Sequence, residues 1–123
     1  MSDEFSYQSQ ISLRNGSLLD SYSTQSLRAN QSVALLVRNV QPVSNVSHAA
    51  LGLGSVVTPG WAVFTNLDAT NYIEVGIDVG AVFYPFIKLL PGETSGPVRL
   101  GMAAPYALAN TATVSLFYII YND

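Results

Sequence analysis

Cysteine is absent from this 123-residue chain. That removes disulfides and thiolate metal sites, and leaves packing as the source of stability. Charge is scarce too: Asp, Glu, Lys and Arg make up 11% of the residues, against about 25% in ordinary soluble domains. The five basic residues, Arg14, Arg28, Arg38, Lys88 and Arg99, are scattered, and the net charge is −3. No basic stripe exists to displace counterions from a phosphate backbone, so no nucleic-acid partner is expected. No apolar run approaches the roughly 20 residues of a spanning helix, and no membrane partner is expected. Met1-Ser2-Asp3-Glu4 carries neither a basic stretch nor an apolar one, so no secretory signal is expected.

What replaces the missing charge is amide and hydroxyl: Ser, Thr, Asn and Gln number 34. Charge usually keeps proteins apart, so a surface this neutral is expected to be partly covered by other subunits. The serines are skewed, with eleven of fourteen before His48. One domain over 1–123 is expected, with a polar N-terminal arm of about twelve residues. Its size suffices for a core without staples.

Apolar alternation predicts β-strands throughout. Phe5 to Leu13 alternates, and Asn15-Gly16 suits the positive φ angles of a type I′ turn. Leu18, Leu19 and Tyr22 return the hairpin, and residues 21–32 are polar enough for a loop or an irregular edge. Val33 to Val40 is apolar on both sides, which predicts a central strand ended by Pro42. Residues 43–58 suggest a long connection, with a helical turn at Ala49–Leu51 or a short strand at Ser55–Thr58. Trp61 to Asn66 and Tyr72 to Ile77 are strands, with Trp61 and Val63 expected in the core. Phe83 to Leu90 is apolar on both faces, and Pro85 predicts a bulge or an unpaired edge. Pro91-Gly92 turns the chain, Pro97 to Leu100 is short, and Ala103 to Ala109 follows. Thr113 to Tyr121 is the strongest β signal, eight of its nine residues being β-branched, aromatic or leucine. The sum is an all-β chain: an antiparallel, jelly-roll-like β-sandwich of about eight strands.

Catalytic patterns are missing. His48 is the lone histidine, no Gly-x-Ser-x-Gly elbow accompanies it, and Ser47 beside it points the other way on an extended chain. It is expected to be a surface loop residue. Gly52-x-Gly54 has Val57 where a dinucleotide fingerprint needs its third glycine. The eight carboxylates serve turn capping and solubility more simply than a glycosidase pair. Asn66, Asp68 and Asn71 are the one calcium-like set, without the glycine for the sharp bend. No enzyme activity, cofactor or metal is expected. Tyr72, Tyr84, Tyr106, Tyr118 and Tyr121 suit either a subunit interface or a sugar-stacking platform.

The middle of the chain carries a resemblance. Asn66-Leu-Asp-Ala-Thr-Asn-Tyr-Ile-Glu-Val-Gly76, then Lys88-Leu-Leu-Pro-Gly-Glu93, Arg99-Leu100 and the β-rich ending resemble small tailed-bacteriophage virion proteins. The likeness spans Trp61 to Asp123. It departs at 103–110, where a more strongly alternating strand belongs, and the first sixty residues carry none of it. The resemblance implies a capsid decoration (cement) or head auxiliary protein with a jelly-roll body, commonly trimeric. Such a protein is made in the bacterial host cytoplasm, sits on the phage head surface, and has the major capsid protein or other virion proteins as partners. The expected subunit-interface residues are Phe83, Tyr84, Phe86, Leu116, Tyr118 and Ile120. The alternative is a carbohydrate-binding or host-adhesion module of a tail fibre or baseplate.

Overall fold

The computed structural model describes residues 4–101 and 104–123. Ser2 and Asp3 of the expected loose tail, and Ala103 of the expected strand at 103–109, lie outside the described residues. The described chain is all-β and antiparallel, with twelve strands and no helix. It divides into two compact units, Met1–Val33 and Ala34–Asp123.

The first unit has strands β1 (Phe5–Tyr7), β2 (Gln10–Asn15), β3 (Leu18–Ser23) and β4 (Leu27–Ala29). Strands β2 and β3 form a hairpin, with Ile11 opposite Tyr22, Leu13 opposite Asp20 and Asn15 opposite Leu18. Its turn is Gly16-Ser17, one residue later than expected, with Gly16 at φ 59°. Among described non-glycine residues only Ala81 has positive φ, so this turn is not type I′, which needs positive φ at both central positions. Ser9 and Thr24 tie the hairpin's base through two backbone-donated bonds of 2.9 Å. Strand β4 falls within 21–32, the stretch expected to be a loop or an irregular edge, and pairs with β1. No described residue of this unit is buried.

The second unit holds the core. It has β5 (Leu36–Val43), β6 (Ala49–Ala50), β7 (Pro59–Asn66), β8 (Ile73–Val79), β9 (Val82–Leu89), β10 (Val98–Arg99), β11 (Tyr106–Ala109) and β12 (Val114–Asn122). Two four-stranded sheets result, in the orders β10-β7-β12-β5 and β6-β11-β8-β9. They share one apolar cluster, in which Ala62, Phe64, Leu116, Tyr118 and Ile120 of the first sheet meet Ile73, Val75 and Ala107 of the second. This is the sandwich the alternation predicts. The expected helical turn is instead the two-residue strand β6, and Ser55–Thr58 forms no strand.

The buried side chains of Tyr118, Asn122 and Asn66 have hydrogen-bond partners. Tyr118 donates its hydroxyl to the Gly52 carbonyl at 2.7 Å, and Asn39 donates to the same hydroxyl at 3.2 Å. Asn122 Oδ1 accepts from the backbone N–H of Val57 and Thr58 at 2.9 and 3.1 Å. Such pairing offsets the cost of taking amides and hydroxyls out of water.

Three expectations need correction. Val33 to Val40 is not a central strand: β5 begins at Leu36, lies at a sheet edge, and runs through Pro42, whose missing N–H an edge tolerates. Trp61 is not core. Ala62, Phe64 and Asn66 are buried on the inner face of β7, so Trp61 and Val63 lie on the outer face, with the Arg99 guanidinium 5.6 Å from the indole centre. Leu116, Tyr118 and Ile120 cannot contact a neighbouring subunit, because each is 0% exposed inside its own sandwich. The outward residues of β12 are Ser115, Phe117, Ile119 and Tyr121.

Candidate functional site

Two surfaces and one side-chain cluster stand out. The first surface is the tip of the β8–β9 hairpin. Gly80-Ala81 closes it in two residues with φ 60° and 67°, the pattern of a type I′ turn. The register shifts between Val75 and Gly76, so that Gly76 faces Pro85 and Phe86 is the extra residue. A bulge on an edge strand is what Pro85 predicts. Gly76 is required there: a Cβ at this position would lie 2.1 Å from the Tyr84 carbonyl oxygen. The hairpin overruns the core, since Ile73 and Val75 are fully buried while Val79 is 57% exposed. Val82, Tyr84 and Phe86 are each more than half exposed. Their edge strand carries Pro85 and Lys88, the devices that discourage strand addition. The apolar side chains remain in water.

The second surface is the outer face of the β10-β7-β12-β5 sheet. Cross-strand register sets the rows Leu36–Tyr121, Arg38–Ile119–Val63 and Val40–Phe117–Thr65, with the β12 residue between its two neighbours in the longer rows. Leu36 and Val40 are about half exposed, and Arg38 is exposed.

The cluster surrounds His48. Its Nε2 lies 2.5 Å from Asp78 Oδ2, the Phe83 ring stacks on the imidazole at 5.4 Å and 25°, and Tyr106 tilts against it at 5.7 Å. His48 is thus a half-buried residue with a carboxylate partner, beyond the plain loop residue expected. The pair is two-thirds of a hydrolytic triad, which needs a hydroxyl or thiol at the other ring nitrogen. Among the described residues Nδ1 has no hydrogen-bond partner. The pair fastens the 44–48 segment to the β8–β9 hairpin, because Asp78 also accepts from Ala81 N–H at 3.2 Å.

The calcium-like set is used internally. Asp68 Oδ2 accepts from the backbone N–H of Thr70 at 2.9 Å and of Asn71 at 2.6 Å. Those bonds hold its pKa below the usual carboxylate value. Asn66 donates to the Asn71 and Leu89 carbonyls at 2.9 and 3.0 Å, so this is a capped turn. Among the described residues no group of three His, Cys, Asp or Glu side chains is placed to hold a metal.

Of the six expected interface residues, Tyr84 and Phe86 lie on the exposed hairpin tip, Phe83 is engaged with His48, and the three from β12 are core. Leu36, Val40, Phe117 and Ile119, which the structure sets on the outer sheet face, were not among those six, although Phe117 and Ile119 lie in the C-terminal strand expected to make contacts. Their signal was the two-sided apolarity of β5 and β12, which marks an outer face as apolar without saying which residues occupy it. No family model, curated protein or solved structure matched the chain.

Proposed function

We infer that this chain is a virion structural protein, a decoration or cement protein that stabilises a phage head shell by burying apolar sheet surface as a homotrimer. The reading combines the likeness at Trp61–Asp123 with one structural observation. Val79, Val82, Tyr84 and Phe86 stand more than half exposed together on one hairpin, in a chain with only 11% charged residues. Half-exposed side chains of that size leave on the order of 400 Å² of apolar surface, comparable to the largest patch on a typical monomer and usually functional. Its partners are further copies of itself and the major capsid protein, and its place is the head surface. The body is of the jelly-roll kind.

No bond-making chemistry enters this reading; the His48–Asp78 pair is a fastening that holds the hairpin in position. Native mass spectrometry at micromolar concentration tests it. A trimer that falls apart in Tyr84→Ser/Phe86→Ser supports the reading, and a wild-type chain that stays monomeric overturns it. The adhesion-module reading draws on Tyr22 and Tyr84, 64% and 53% exposed. Binding to a glycan array that Tyr84→Ala abolishes would favour it instead.

A further inference from the structure

The β2–β3 hairpin has two unlike faces. One carries Gln10, Ser12, Arg14, Leu19, Ser21 and Ser23; the other has rows Ile11–Tyr22, Leu13–Asp20 and Asn15–Leu18. Ile11, Leu13, Leu18 and Tyr22 are 67, 46, 58 and 64% exposed. Isolated two-stranded hairpins are marginal in water, and a unit of this size without disulfide or metal needs a partner to cover its apolar side.

A matching surface exists on the second unit. On the outer face of the β10-β7-β12-β5 sheet the β5–β12 pair presents three successive rows, Leu36–Tyr121, Arg38–Ile119 and Val40–Phe117, before Pro42–Ser115. In each set of rows the middle row holds a charge, Asp20 on the hairpin and Arg38 on the sheet, with largely apolar rows on either side. The face's other cation, Arg99 beside Trp61, is ion-paired with Asp123. Among the described residues neither Asp20 nor Arg38 has an ion pair or hydrogen bond. Rows on one face of any sheet repeat at about 6.8 Å, twice the rise per residue, so three rows fit three rows with the charges in register.

We propose that the β2–β3 hairpin of each protomer docks apolar face down on this sheet face of a second copy, with the Asp20 carboxylate meeting the Arg38 guanidinium. It rests on the reading that copies assemble, and it names the surfaces involved. A hairpin face about 20 Å long and 10 Å wide is well short of the roughly 800 Å² per partner that a stable interface buries. Each protomer gives an arm and receives one, a head-to-tail contact that forms a ring where its rotation closes, and the exposed β8–β9 hairpin supplies further area to the assembly. A lone charge on an edge strand can also serve merely to repel stray strands. That role requires no specific partner, and the experiment separates the two.

The test is sedimentation velocity on the full chain, comparing wild type with Asp20→Arg, Arg38→Glu, the double variant, and Arg14→Glu on the opposite hairpin face. Both charges are exposed and unpaired, so the fold tolerates these changes; Asp20→Asn and Arg38→Gln serve as gentler versions. The expected result is that each single reversal weakens association about tenfold or more. The double variant recovers it, and Arg14→Glu leaves it unchanged. An equimolar mixture of the two singles recovers it in part, because a three-membered ring then matches two of its three contacts. Self-association of wild type that neither reversal alters overturns this inference while leaving the assembly reading standing. Recovery in the double variant with no gain in the mixture over either single variant also overturns it, because it places the contact within one chain. Equal weakening by Arg14→Glu overturns it as non-specific charge, and a monomeric wild type removes both readings.

Discussion

Ala81 is the one described non-glycine residue at positive φ, 67°, in the second position of the β8–β9 turn. An L-residue there costs roughly 1–2 kcal/mol from the contact between its Cβ and the backbone carbonyl. Glycine relieves that strain and gives back part of it as unfolded-state entropy. Ala81→Gly is therefore expected to stabilise the protein by about 0.5–1 kcal/mol, seen as a higher urea midpoint at unchanged slope. The residue scale is also where turn chemistry was most legible. Pro91-Gly92 forms its turn with Gly92 at φ 79°, and Glu93 closes it by accepting from Leu90 N–H at 2.7 Å. Asn15-Gly16 marked the right hairpin but the wrong central pair, because either Asn-Gly or Gly-Ser can supply a glycine at positive φ. His48 was misjudged for a different reason. Its partners Asp78, Phe83 and Tyr106 lie on three other strands, and no local pattern brings them together.

At the scale of elements, strand existence was legible and strand phase was not. Alternation assigns faces only when one side is polar. In β12 both sides are apolar, so its sequence sets Leu116, Tyr118 and Ile120 outward as readily as Phe117 and Ile119, whereas the structure buries the former. The same ambiguity put Trp61 in the core in place of Phe64. What fixes the phase is non-local: β12 lies between β5 and β7, and the second sheet covers only one side. Substitution distinguishes the two sides directly. Leu116→Ala, at a fully buried position, is expected to cost about 3 kcal/mol by lost transfer energy and a residual cavity. Phe117→Ser on the half-buried outer side should cost markedly less in the monomer. Denaturant midpoints of the two variants check this, and equal losses would mean the sheet is covered on both sides.

For the whole molecule, the uneven distribution of burial matters most. Every core residue lies between Val43 and Ile120, and no described residue of Met1–Val33 is buried. The serine skew foreshadowed a polar front, but it could not show that this front folds into hairpins with an apolar side. Deleting Met1–Val33 is expected to leave a chain that still unfolds cooperatively, because the shared cluster of both sheets is intact. Calorimetry gives the check: a broad, non-cooperative transition would mean that the first unit contributes to the core after all.

Strand β12 offers one more consequence. It pairs with β5 over eight residues, from Val114 to Tyr121, and with β7 along its other edge. A pull along its axis is resisted by two ladders in shear together, each bond sharing the load instead of opening in turn like a zipper. The closing strand is thus the tensile member of the body, and a tether fixed there would transmit force through the sandwich without first unravelling it.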